Sequence, residues 1–210
     1  IVAPPIVQFG PPRTGSTLVW NTLRSIFPFR RVVKTHRLSR FRLSFLSRSE
    51  IVCTVRHPLD TVASGLQRYD LPPSTDAIQR ILVELEEGVE WALRAKNHPR
   101  VLLLKYESFS HNFESLFEAI ETFFGVVIDE GRRTRVREKY SVDNVKKEAD
   151  SLGDFSTWNP VTHIHGRHIS RYKGATGYYR DFFSKDQIDW LRRHFASFNE
   201  AFAYEVDDAV

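Results

Sequence analysis

Gly10-Pro11-Pro12-Arg13-Thr14-Gly15-Ser16-Thr17-Leu18 follows the short apolar run Ile6–Phe9 and opens a segment of helical character that ends near Leu23. A strand, a Gly-bounded loop and a helix start, in that order, make an anion cradle. Backbone N–H groups of the loop and of the first helical turn converge, the helix dipole adds positive charge, and the Ser16 and Thr17 hydroxyls can donate. Phosphate or sulfate is the natural occupant, although taken alone the segment also reads as an ordinary Gly/Pro turn. The spacing fits GxxxxGK[ST] at every fixed place but one, because Ser16 stands where an ATP-using enzyme carries its Lys. That absence counts against ATP chemistry, and Arg13 supplies the charge instead.

A second constellation is Arg56-His57-Pro58-Leu59-Asp60-Thr61-Val62-Ala63-Ser64. Arg56 closes an apolar run and Ser64 lies about two turns into the helix that Pro58 starts, so guanidinium and hydroxyl can face one edge as a second phosphate site. Taken singly, an Arg closing a strand is more often a structural ion-pair partner. Two anion sites point to a nucleotide phosphorylated at two places. Lys34-Thr35-His36 follows another apolar run; a His there can act as a general base and the Lys can stabilise charge on a transferred group. Lys105-Tyr106-Glu107 offers an aromatic with a hydroxyl for a base ring. Arg171-Tyr172-Lys173-Gly174-Ala175-Thr176-Gly177 is a second Gly-bearing basic loop. His163, His165 and His168 lack the Cys pair or HExxH that would argue for zinc, and read as surface or capping histidines.

The elements that must position these groups are legible as alternating patterns. Ile6–Phe9, Arg31–Thr35, Ile51–Val55 and Val101–Leu104 are short, nearly continuous apolar runs, as strands covered on both faces require. Thr14–Leu23, Pro58–Tyr69 and Thr75–Asn97 are helical, the last with Ile78, Ile81, Leu82, Leu85, Val89 and Leu93 at helical spacing. Phe113–Phe124 is a helix stopped by Gly125, and Ser184-Lys185-Asp186-Gln187 is a capping box that opens a helix running to Phe202. Strand alternating with helix predicts an α/β fold with a parallel sheet, and the strand-end motifs then share its carboxyl edge. Residues 126–183, poor in periodicity apart from a helix around Val142–Leu152, read as a lid.

The 210 residues, 41% hydrophobic and 27% charged, fit one domain spanning 1–210. No apolar run reaches the ~18 residues needed to span a bilayer. Cys53 cannot form an intrachain disulfide and lies in a strand-like run, so it reads as a core thiol in a reducing compartment, the cytoplasm. The chain starts without Met and enters its first strand almost at once, so a removed leader or anchor, and with it the Golgi lumen, is the alternative location. Net charge is +4, yet residues 1–49 hold nine Lys or Arg and no acid. This electropositive lobe can steer a polyanion toward the loop; no groove-reading or RNA-binding signature accompanies it, which argues against nucleic acid.

In this order the motifs resemble the sulfotransferases that use 3′-phosphoadenosine 5′-phosphosulfate (PAPS), from about Phe9 to Phe183. Pro12 to Leu18, with Arg13, Thr14, Gly15, Ser16 and Thr17, looks like their 5′-phosphosulfate loop. Arg56 with Ser64 looks like their 3′-phosphate motif. Lys34-Thr35-His36 matches their KTH segment, whose His is the family's catalytic base. Tyr106 matches the adenine-contacting Tyr, and Tyr140, Ser141, Val142 and Val145 fall where the family lines the adenine. Lys173-Gly174 with Gly177 matches the late RKGxxG loop. The sequence departs from that pattern at Arg13, where the cytosolic branch has Lys, and at Tyr172, which takes the place of the late Arg with Arg171 one position early. Only 22 residues separate Arg13 from His36, so much of the usual acceptor-binding segment is missing.

The resemblance implies a three-layer, P-loop-NTPase-like sulfotransferase fold, with a mostly parallel sheet flanked by helices. It implies in-line, metal-independent transfer of a sulfuryl group from PAPS to an acceptor hydroxyl or amine, releasing 3′,5′-adenosine bisphosphate (PAP). His36 would take the acceptor proton, while Lys34, Arg13 and loop N–H groups stabilise the charge that develops. The alternatives are a P-loop-like nucleotide or small-molecule kinase, which would need ATP and Mg²⁺, and an inactive nucleotide- or polyanion-binding module. No stretch matches the C-terminal dimer motif of the cytosolic branch.

Overall fold

The computed structural model describes residues 3–169 and 172–204. Four parallel strands, β1 (Ile6–Phe9), β2 (Val32–Thr35), β3 (Glu50–Val55) and β4 (Val101–Lys105), form one sheet in the order β2-β1-β3-β4. The predicted strands are all present, with ends moved by a residue. Between them run α1 (Ser16–Ile26), a 3₁₀ turn at Leu38–Arg40, the short α2 (Leu43–Leu46), α3 (Pro58–Arg68) and α4 (Thr75–Ala95). After β4 come α5 (Tyr106–Phe109), α6 (Phe113–Phe124), α7 (Glu130–Tyr140), α8 (Val142–Leu152), α9 (Tyr179–Phe182), α10 (Lys185–His194) and α11 (Ala196–Phe202).

Residue alternation along the strands assigns each sheet face its own core. Val7, Phe9, Cys53 and Val55 pack with α3, α4, α10 and α11, whereas Ile6, Val52 and Leu104 pack with α1, α6, α7 and α8. Both faces are covered, which is why the strands read as apolar runs rather than as an alternating pattern. The chain leaves β1 through α1 toward β2 and leaves β3 through α3 and α4 toward β4. The crossovers therefore diverge on opposite faces at the carboxyl ends of β1 and β3, the crevice where open α/β sheets take ligands. The loop carrying Arg13 and the segment carrying Arg56 flank that crevice.

Two expectations need correction. The helix expected from Ser184 to Phe202 is broken at Phe195, whose backbone (φ −98°, ψ 18°) ends α10 and starts α11; the capping box at Ser184 and Gln187 is present. The 126–183 segment contains a further helix, α7, which buries only Val136 and Tyr140 and so has almost no apolar periodicity to betray it. Ion pairs hold it instead: Arg133 to Glu114 and Glu121, and Arg137 to Glu114 and Glu130. Asp129 caps it, accepting from the Arg132 amide at 2.9 Å. Among the described residues, no helix is long and apolar enough to cross a membrane.

Candidate active site

One cavity opens along the carboxyl edge of the sheet. Gly15, Ser16, Thr17 and Leu18 line its floor at the start of α1. No side chain caps this helix and its first turn holds no acid, so the unpaired amides of that turn keep their positive end for a ligand. Gly15 sits at φ +79°, and a Cβ there would come within 2.8 Å of Tyr106 Cδ2 and 3.0 Å of the Phe109 ring. Only glycine allows the loop to lie this close to α5. Thr14 does not line the cavity: its hydroxyl donates to the Pro11 carbonyl at 2.7 Å and meets Thr54 Oγ1 at 2.8 Å, tying the loop to β3.

Arg13 (φ +70°) arches over this floor. Its Nε donates to Ser64 Oγ at 3.0 Å and its Nη2 to the His168 carbonyl at 3.0 Å. Lys34, from the end of β2, reaches the same turn and donates to Thr17 Oγ1 at 2.6 Å. Arg56 follows β3 and is 4% exposed; it donates to the Arg13 carbonyl at 3.3 Å and to the Ala175 carbonyl at 2.9 Å, and its guanidinium lies 4.2 Å from the Tyr106 ring centre. Tyr106 donates to the Gly174 carbonyl at 3.1 Å. Among the described residues, the cavity is thus lined by Arg13, Lys34, Arg56 and Arg68, and by no Asp or Glu.

This concentration of like charge in a buried space is costly when nothing anionic is present, and the titration behaviour reflects it. Burial, then the charges of Arg68 and Arg13, pull Lys34 down to about 8; burial and the neighbouring Arg68 bring Arg13 down to about 10. Burial with the nearby cations lowers His36 to about 4, against the opposing effect of its bond to Gly10. His36 Nδ1 lies 2.8 Å from the Gly10 carbonyl oxygen, which can only accept. Nδ1 therefore carries the proton, and Nε2 is left with its lone pair.

The late loop reaches the site through its backbone. Gly174 lines the cavity and, with Ala175, offers carbonyls to Tyr106 and Arg56, whereas the Tyr172 ring stacks on Tyr178 with centres 4.4 Å apart and Lys173 is exposed, both away from the cavity. Arg171 lies outside the described residues. Asp60, in the first turn of α3, accepts from the Gly177 amide at 2.7 Å and the Tyr179 amide at 3.2 Å, which fixes that loop. Ser141 also misses the cavity: its hydroxyl caps α8, accepting from the Asn144 amide at 3.3 Å. Its neighbours Tyr140, Val142 and Val145 do line the cavity.

Sequence reasoning missed the wall opposite the sheet. Arg68 lies four residues beyond Ser64 on the same face of α3, a spacing that could have revealed it. Phe155, His165 and His168 come from the segment after α8, so His165 and His168 are cavity groups rather than surface ones. That segment is clamped to α1: Asn21 donates to the Thr162 carbonyl at 2.7 Å, and Arg24 to the Val161 carbonyl at 2.6 Å. Among the described residues, no group of three or more His, Cys, Asp or Glu is placed to hold a metal ion. Burial raises Cys53 to about 12, as suits an inert core thiol.

The architecture is that of the sulfotransferase fold. The chain superposes on a mouse sulfotransferase in complex with PAP with a TM-score of 0.69 at 17% identity, covering 94% of this chain and 84% of that one. It also superposes on retinol dehydratase in complex with androsterone and PAP (TM-score 0.68, 17% identity, 100% of this chain and 83% of that one). The retinol and PAP complex of retinol dehydratase gives 0.68 and 17%, with 100% and 84% covered. No curated protein sequence matches the chain. Residues 22–203 match the sulfotransferase domain, and the chain belongs to that family.

Proposed function

We propose that this chain is a PAPS-dependent sulfotransferase that transfers a sulfuryl group to an acceptor hydroxyl or amine. The observation that carries the reading is the cavity at the crevice of a sulfotransferase fold, whose lining among the described residues holds Arg13, Lys34, Arg56 and Arg68 with the hydroxyls of Ser16, Thr17 and Ser64 and no Asp or Glu. Strands lie about 4.8 Å apart, so the edge from β4 to β2 spans roughly 14 Å, room for a nucleotide lying across it. Its adenine would meet Tyr106 with Tyr140, Val142 and Val145. Its 3′-phosphate would meet Arg56 and Ser64, and its 5′-phosphosulfate the first turn of α1 with Arg13 and Lys34. The acceptor would then stand at His36, beyond β1.

In this reading the acceptor oxygen or nitrogen forms a bond to sulfur as the bond from sulfur to the 5′-phosphate oxygen breaks. His36 Nε2 takes the acceptor proton. Its neutrality at pH 7 suits a base, and the bound polyanion offsets the cations that depress it, which makes it a stronger one. Lys34 and Arg13 neutralise the charge left on PAP, so charge stabilisation falls to side chains rather than to a metal ion. The two cores share one sheet, which supports a single domain, and a free, buried Cys53 is compatible with a reducing, cytoplasmic setting. The test is transfer from sulfur-labelled PAPS, in EDTA, to a panel of phenols, alcohols, saccharides and amines. His36→Ala should lower the rate about 10²–10⁴-fold; wild-type turnover by that variant removes His36 as base, and no transfer by the wild type to any acceptor favours the inactive binding module.

A further inference from the structure

Arg68 is the cation of this cavity that the cofactor leaves over. Arg13 and Lys34 stand at the 5′ site and Arg56 at the 3′ site. Arg68 projects from the last turn of α3 toward the segment after α8, its Cζ 3.6 Å from the Phe155 ring centre. Phe155 in turn stacks on His165, with ring centres 4.3 Å apart and planes 4° from parallel. A cation–π contact with a ring uses none of the guanidinium's N–H donors, so they remain available to an acceptor group. Its Nε is buried with no hydrogen-bond partner, and none of the ion pairs among the described residues includes it. Its charge is felt by Lys34 and His36, the groups at the transfer end of the cavity.

Glu84, which accepts from the neighbouring Tyr69 hydroxyl, is near enough for Arg68 to feel its charge but makes no ion pair with it among the described residues. A half-buried guanidinium whose Nε is buried and unbonded gains from an anion that arrives with the ligand. We propose that Arg68, backed by Phe155 and His165, is an acceptor subsite that binds a carboxylate or sulfate carried by the acceptor near its accepting hydroxyl. This rests on the reading of the rest of the cavity as the PAPS site. The acceptor class is then an anionic hydroxyl compound, such as a hydroxylated aromatic acid or an acidic sugar, and a neutral alcohol of the same shape is a poor one.

The test uses the full chain saturated with PAP, wild type and Arg68→Gln, titrated with matched probes: 4-hydroxyphenylacetate against its amide, and a phenyl glucuronide against the phenyl glucoside. The wild type should bind at least one carboxylate about tenfold or more tighter than its neutral partner. Arg68→Gln should erase that preference while binding PAP within about twofold of wild type, which also shows that it folds, and Arg68→Lys should restore part of it. Equal binding of charged and neutral partners by the wild type overturns the proposal. So does a tenfold loss of PAP affinity in Arg68→Gln, which would make Arg68 a cofactor ligand. Failure of the wild type to bind PAP at all overturns the cofactor reading itself, a separable outcome because it appears before any acceptor is added.

Discussion

Arg13 Nε donates to Ser64 Oγ at 3.0 Å, and this bond joins the loop after β1 to the helix after β3 across the crevice between them. The residue assigned to the 5′ site and the residue assigned to the 3′ site are therefore already in register before any ligand arrives. Preorganisation of this kind lets charge be stabilised without reorganising the site at the moment of transfer.

Arg13→Ala is expected to cost roughly 2–4 kcal/mol in kcat/KM for PAPS, the scale for removing one preorganised donor to a developing oxyanion. Ser64→Ala should weaken PAP binding, and the double variant should lose less than the sum of the two, with a coupling of about 0.5–3 kcal/mol because the residues touch. Strict additivity in calorimetric titrations of the four proteins would show that the bond between them does not matter to the ligand.

Lys34 should make PAP binding pH-dependent. The free protein holds it down to about 8, through burial and the charges of Arg68 and Arg13, and a bound polyanion raises it. Below pH 8 the lysine is charged in both states and affinity is flat with respect to it. Above pH 8 binding must take up a proton, so Kd should rise by up to about tenfold per pH unit until the bound-state pKa is reached. Lys34→Arg should flatten the profile between pH 8 and 9.5. An equally steep profile in that variant would assign the proton to another group.

Tyr106 is held between two glycines. A Cβ on Gly174, at φ +78°, would sit 2.5 Å from the Tyr106 hydroxyl oxygen and 3.8 Å from its Cζ. Gly174→Ala should therefore destabilise the chain both by this clash and by backbone strain of about 1 kcal/mol or more. Adding Tyr106→Phe removes the oxygen and should recover the steric part, leaving the strain and the lost bond to the Gly174 carbonyl. Thermal melts of the single and double variants decide it; a double variant no more stable than Gly174→Ala would place the damage elsewhere.

The strands and the groups at their ends were legible because both signals are local. Apolar runs of four to six residues bounded by Gly, Pro or charge mark strands buried on both faces; Arg13, His36, Arg56 and Tyr106 each follow one within a few residues, and Lys34 lies near the end of one. The opposite wall was not, since Phe155, His165 and His168 come from a segment without periodicity and reach the cavity only through long-range contacts such as Asn21 to Thr162. The side chains of Tyr172 and Lys173 do not line the cavity, for a related reason. In that loop the carbonyls of Gly174 and Ala175 make the contacts, and a backbone role leaves no mark on the side chains around it. The α7 helix was hidden because ion pairs, rather than an apolar stripe, hold most of it.

The assignment of the cavity to a doubly phosphorylated nucleotide is tested most directly by thermal melts with PAP, ATP and ADP, each in EDTA and in Mg²⁺. A ligand at ~100 times its Kd adds ~2.7 kcal/mol, which for a chain of this length raises Tm by roughly 5–10 °C. PAP should give that rise with no dependence on Mg²⁺, and ATP and ADP, lacking a 3′-phosphate for Arg56 and Ser64, should give much less. A Mg²⁺-dependent rise with ATP and none with PAP would contradict it and return the site to kinase chemistry.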